Sequence, residues 1–150
     1  MSIPWTETTA DFDLIWQEDE PEIVSVPDLL STMFVKQEEH MEAYGAISHT
    51  TPTVTSKAHG QLNNPVIQAK IREYAGYTIE EMMEAINHLK NKPWKQSFRD
   101  VDPEEFMEEI ADMWHFFIEM HIYAGITPED VFKAYFKKSL VNENRRAEGY

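Results

Sequence analysis

YTIEEMMEAINHLK at residues 77–90 and EFMEEIADMWHFF at residues 105–117 decide the fold. Each stretch carries acids three residues apart, Glu81 with Glu84 and Glu109 with Asp112. Each also spaces its apolar residues at a helical period. Residues three apart share one face of a helix, so each pair can aim two carboxylates at one place, and two such helices packed together would supply four. Four oxygen donors suit a hard divalent cation such as Mg²⁺ or Mn²⁺, and Mg²⁺ is typically held between a few carboxylates and substrate phosphates. The pattern points towards metal-assisted phosphate chemistry.

A solvated acidic face is the competing reading, because 27 acidic residues produce such pairs readily; Glu39/Glu42 and Glu105/Glu108 have the same spacing. A helical wheel separates the two pairs. Phe106, Ile110, Met113, Phe117, Met120 and Ala124 form an apolar stripe with Glu109 at its edge, Asp112 on the same flank and Glu108 on the far side. A carboxylate at the margin of a core stripe is partly desolvated, which is costly unless something cationic compensates. In the first stretch, Ile79, Met82, Met83, Ile86 and Leu89 predict the core face and leave Glu84 nearly opposite its centre, as on an ordinary surface. Thr78 and Glu81 also have capping-box spacing, so Glu81 could instead close a helix start.

Working outward, Pro27 to about Tyr44 has Leu29, Met33, Phe34 and Met41 at spacings that predict one amphipathic helix, and residues 46–64 are rich in loop-forming types. A second helical region is predicted from Pro65 to about Asn91, with Pro93 as its stop and Gly76 as a candidate break. Asp102 before Pro103 signals the start of a third helix, ended by Gly125. Thr127-Pro128-Glu129-Asp130 repeats that signal for a fourth, reaching about Asn142. No strand alternation competes. The expected fold is an all-α bundle of four to five helices over residues 27–150, preceded by an acidic arm at 1–26 whose Trp5, Phe12 and Trp16 could dock on the domain or on a partner subunit.

Composition narrows the function classes. A chain of 150 residues, 42% hydrophobic, is the size of one domain and can bury roughly 70% of its unfolded surface. A net charge of −14 repels phosphate backbones, so neither nucleic acid nor an anionic membrane is an expected partner. Small anionic substrates remain compatible, because a bound cation reverses the local charge they meet. The absence of cysteine removes disulfides, thiolate catalysis and Cys-based zinc sites. Nothing near the start resembles a signal sequence and no apolar run approaches a membrane span; a soluble cytoplasmic protein is expected.

Glu80, Glu81, Glu84 and Ala85 as EExxEA, KNKPWK from Lys90 to Lys95, then Glu108, Glu109 and Asp112 as EExxD resemble the all-α nucleoside triphosphate pyrophosphohydrolases, the MazG-like and dimeric dUTPase superfamily, many of them from phages. The tail NENRRAEGY is similar to the dimeric dUTPase branch in its Asn, Arg, Gly and Tyr. The resemblance implies hydrolysis of a deoxynucleoside triphosphate to monophosphate and pyrophosphate in nucleotide-pool control. It implies Mg²⁺, with Mn²⁺ as the possible substitute, held by Glu81, Glu84, Glu109 and Asp112. Glu80 and Glu81 would serve the catalytic water, Glu80 as general base or orienting group. Lys95, Lys138, Asn142, Arg145 and Tyr150 would contact phosphates, where negative charge accumulates; alternatively, basic groups near the end of the last helix complement its dipole. Gln37 stands where the branch reads uracil, but Met41 occupies the place of its Asn and cannot offer an amide donor and acceptor. A purine deoxynucleotide such as dGTP or dATP therefore stands beside dUTP as the expected substrate, with Trp94 and Phe34 as candidate stacking surfaces.

Two rival classes make different demands. A di-iron carboxylate bundle needs Glu-x-x-His pairs; Asp112 and His115 have that spacing but no second pair exists, and His88 and His121 read as ordinary half-buried residues. A non-enzymatic helical dimerisation or adaptor module explains the charge and the helices, yet gives no role to KNKPWK or to the tail. Helices with this much apolar surface predict a homodimer or a dimer of dimers.

Overall fold

The computed structural model describes residues 28–47 and 54–149; the arm expected at 1–26 and the tail residue Tyr150 lie outside them. Among the described residues, four α-helices and one short 3₁₀ turn, Ser56–Ala58, make up the regular structure, and no strand occurs. The helices are α1 (Leu29–Gly45), α2 (Pro65–His88), α3 (Pro103–Ala124) and α4 (Pro128–Ala147), so the all-α expectation holds. None of them is long and apolar enough to cross a membrane.

Side-chain caps start all four helices by accepting otherwise orphaned N–H groups, the Asn64 Oδ1 accepting from the Val66 N–H at 3.0 Å at the start of α2. The Asp28 carboxylate accepts from the Ser31 N–H at 3.2 Å, and Asp102 accepts from the Glu104 N–H at 3.0 Å. Thr127 and Asp130 form a reciprocal capping box. Helix α2 differs from expectation at two points. It runs unbroken through Gly76, since an interior glycine costs a helix only about 1 kcal/mol, and Thr78 and Glu81 consequently lie inside it rather than at a start. Its last residue is His88, short of Asn91, whereas α4 continues past Asn142 to Ala147. The turn after α3 requires glycine: Gly125 has φ 70°, and a Cβ there would stand 2.5 Å from the Gly60 Cα.

The chain forms two compact units, whose described parts are 76–116 for one and 28–47, 54–75 and 117–149 for the other. The first is a helical hairpin. Tyr77 and Phe116 rings lie 5.3 Å apart, while at the other end His88 approaches Glu105, which sets segments 76–88 and 103–116 antiparallel. The connection at 89–102 is pinned by the Asn91 side chain, which donates to the Arg99 carbonyl and accepts from the Arg99 N–H, both at 3.0 Å. The hairpin overturns one expectation. Ile79, Met82, Met83, Ile86 and Leu89, the predicted core face, are all exposed, at 42–57%. Thr78 and Ala85 are buried, and Glu81 and His88 half-buried, on the opposite face. The face turned to the 103–116 segment therefore carries small and polar side chains, and the apolar ones are turned to the surface.

The second unit holds the apolar core: Phe34, Ile118 and Ile122, with Leu30, Met41 and Val131 packed against them and Ile67 fully buried. The stripe predicted for α3 is half-buried throughout, from Phe106 to Ala124. Full burial falls beside it, on Ile118, Glu119, Ile122 and Tyr123.

Candidate metal centre

Within the hairpin, Glu81 on α2 and Glu109 and Asp112 on α3 each present a carboxylate oxygen, and the three oxygens lie within 4.8 Å of one another. Glu81 and Glu109 are half-buried; Asp112 is exposed. Desolvation is the leading cause that raises the Glu81 carboxyl above the usual range, followed by the negative charges of Glu84, Asp112 and Glu109, and by a hydrogen bond shared with Glu109. Three acids so close repel one another and favour retention of a proton. A divalent cation is the partner that would reverse this, and donors that are all carboxylate oxygen select a hard ion over a soft one. The residues therefore fit Mg²⁺ or Mn²⁺ by their chemistry. Glu84, expected as a fourth ligand, is exposed and outside the group of three, although its charge reaches Glu81. Glu80 is exposed on the neighbouring position. His115, the residue a di-iron site would need, is exposed and outside the group.

His88 belongs to the surroundings of this centre, a role the sequence did not reveal. Its Nε2 is 3.5 Å from the Glu109 Oε1 and its Nδ1 is 3.3 Å from the Glu105 Oε2. The signal existed: His88 follows Glu81 by seven residues, which returns it to the same face of α2.

The other expected contact residues fall in several places. Trp94 is 78% exposed in the 89–102 connection, and the Lys95 N–H donates to the Lys92 carbonyl beside it. Neither belongs to a core. Phe34, the other candidate stacking surface, is a core residue of the second unit, with its ring edge-on to His121 at 6.2 Å. Asn142 and Arg145 lie on the exposed α4 and line one shallow cleft of about 440 Å³ with Ser139, Glu143 and Arg146. Lys138 is exposed on the same helix and does not line it.

Gln37 is buried in the second unit, where its Nε2 donates to the Glu119 Oε2 at 2.8 Å. Glu119 is itself buried; desolvation raises its carboxyl above the usual range, and hydrogen bonds from Tyr74, Gln37 and Tyr123, with the Lys70 charge, oppose the rise. Burial pushes the Tyr123 hydroxyl up to about 12 and the Tyr74 hydroxyl higher still, so both are donors at any physiological pH. Lys70, also buried, pairs with Glu73 at 2.9 Å. A cavity of about 550 Å³ opens beside this network, lined among others by His59, Lys70, Tyr74 and Glu119. Glu119 was not foreseen; its signal was an acid embedded in the apolar run HFFIEMHIYA.

Among known proteins, the chain is similar to a dCTP pyrophosphatase of Enterobacteria phage LZ5, 34% identical over 70 residues, 39% of this chain and 41% of that protein. It is also similar to a dCTP pyrophosphatase of Enterobacteria phage T4, 33% identical over 54 residues, 34% of this chain and 32% of that protein. The chain thus spans less than half the length of the curated relatives it matches. No family model matches it, and no solved structure does.

Proposed function

We propose that this protein is a divalent-metal-dependent deoxynucleoside triphosphate pyrophosphohydrolase, converting dNTP and water to dNMP and pyrophosphate, with dCTP as the first substrate to test. The observation that carries the reading is the convergence of Glu81, Glu109 and Asp112 from two antiparallel helix segments. The names of the two phage relatives support both the reaction class and the choice of dCTP. Because Met41 replaces the amide of the uracil-reading pair, dUTP and the purines dGTP and dATP belong in the same comparison.

Glu81, Glu109 and Asp112, with Glu84 beside them, would hold Mg²⁺ or Mn²⁺. Such an ion, when bound, neutralises phosphate charge and lowers the pKa of an attacking water. The residues of the chain supply the rest. Glu80 orients the water or takes its proton; as water adds to phosphorus, the anhydride bond breaks and pyrophosphate leaves. Lys95 and Trp94 present a cation and a ring from the hairpin connection. Gln37, Lys138, Asn142, Arg145 and Tyr150 are assigned to substrate contact by the family resemblance.

A homodimer or dimer of dimers belongs to the same proposal. Ile79, Met82, Met83 and Ile86 form an exposed apolar stripe on a helix whose inner face carries Thr78, Glu81, Ala85 and His88, and apolar surface of this kind is characteristically covered by another copy. Equilibrium sedimentation should give a multiple of 17.6 kDa, and Met83→Glu should return the monomer mass. The test of function is pyrophosphate release from dCTP, dUTP, dGTP, dATP and dTTP with Mg²⁺ and with EDTA. Release from one dominant nucleotide, abolished by EDTA, is expected; no release from any of the five would leave the adaptor module as the reading.

A further inference from the structure

We infer that His88 is a positioning residue that orients Glu109 towards the metal centre; the inference rests on the metal reading above. The last turn of α2 brings the imidazole against two carboxylates one turn apart on α3, Glu105 and Glu109. Its Nε2 lies 3.5 Å from the Oε1 of Glu109, the carboxylate that also hydrogen-bonds to Glu81, so an N–H at that nitrogen would hold the Glu109 carboxylate in its present orientation. The side chain is only 20% exposed, and its buried Nδ1 makes no hydrogen bond among the described residues although Glu105 is close. A ring placed only to clamp the hairpin would satisfy both nitrogens, since a buried unpartnered nitrogen costs stability. Here the approach to Glu105 leaves Nδ1 without a hydrogen bond, and Nε2 is the nitrogen left to engage the Glu109 carboxylate. Partners that fix the orientation of a ligand carboxylate matter tenfold to a hundredfold in metal affinity when removed.

The probe is Mn²⁺ alone, titrated into the full-length protein and followed by the paramagnetic signal of the free ion, with the thermal midpoint of each variant measured beside it. His88→Ala and His88→Leu should weaken Mn²⁺ binding tenfold to a hundredfold; His88→Gln, whose amide N–H can reach the same oxygen, should bind within about threefold of the parent. If His88→Ala or His88→Leu binds Mn²⁺ as the parent does while Glu81→Ala and Asp112→Ala lose it, the metal reading stands and the role of His88 is overturned. Thermal midpoints that fall in both variants and recover in His88→Gln, with Mn²⁺ affinity constant throughout, would make His88 a clamp only and overturn it equally. A parent protein that binds no Mn²⁺ removes the metal reading itself, and this inference with it.

Discussion

Glu81 and Glu119 are both carboxylates drawn out of water, and in both desolvation is the leading cause that raises the carboxyl above its usual range. Their neighbours then act in opposite senses. Around Glu119 stand donors, Tyr74, Gln37 and Tyr123, with the Lys70 charge, and each favours the ionised form. Around Glu81 stand further acids, and each disfavours it. The first is a carboxylate completed by its own fold, with hydrogen bonds that repay much of its burial. The second is assembled from like charges whose natural complement is a cation, an arrangement that stability alone does not favour. Glu81 is therefore the carboxylate proposed for metal binding, and Glu119 the one held by its own fold.

The largest expected effect separates them by activity. Glu109→Ala or Asp112→Ala should lower Mg²⁺-dependent triphosphate hydrolysis about a thousandfold, while the thermal midpoint without metal holds or rises, because one like charge leaves the cluster. A midpoint that fell sharply would make the cluster a structural feature. Next in size is Glu119→Ala, which strands several buried donors and should cost about 3 kcal/mol in urea denaturation; Glu119→Gln should cost about 1 kcal/mol. Gln37→Ala removes one buried donor and should also cost about 1 kcal/mol. If Gln37 also contacts the substrate as proposed, Gln37→Ala should lose substrate affinity beyond that stability cost; unchanged affinity would remove it from the contact residues.

The smallest effect is on pH dependence. A carboxyl raised above 4.5 in the folded chain holds its proton longer than in the unfolded chain, so the folded state binds more protons and stability falls as pH rises from about 4.5 through the raised values. Saturating Mg²⁺ should remove the Glu81 share of that slope and leave the Glu119 share. Glu119→Gln should do the reverse. Urea midpoints at stepped pH, with and without Mg²⁺, would show whether the two shares separate.

How far the sequence could be read differs between α2 and α3. On α3 the apolar stripe is broad and its edge is where Glu109 lies, so a wheel located the half-buried acid correctly, although the stripe residues are themselves only half-buried and full burial falls beside them on Ile118 and Ile122. On α2 the same rule failed. There the inward positions of the hairpin are Thr78, Glu81, Ala85 and His88, spaced three and four apart, and they continue the period of Ile67, Lys70 and Tyr74 in the other unit. The period is helical in both cases, but within the hairpin part of α2 its inward members are small, polar or charged, and hydropathy alone assigned the wrong face.

What the sequence by itself determined was the all-α class and the helices themselves, with helix starts signalled at Asp102 and Thr127. Helical period and capping chemistry are local, so they survive without knowledge of partners. Only the tertiary structure decided that Glu84 stands outside the closest group, that His88 borders it, that Gln37 is engaged by Glu119, and that Ile79, Met82 and Met83 face outward. Those outcomes depend on which face of a helix meets its neighbour and how closely, and an acid that meets other acids is invisible to a pattern that counts only apolar residues.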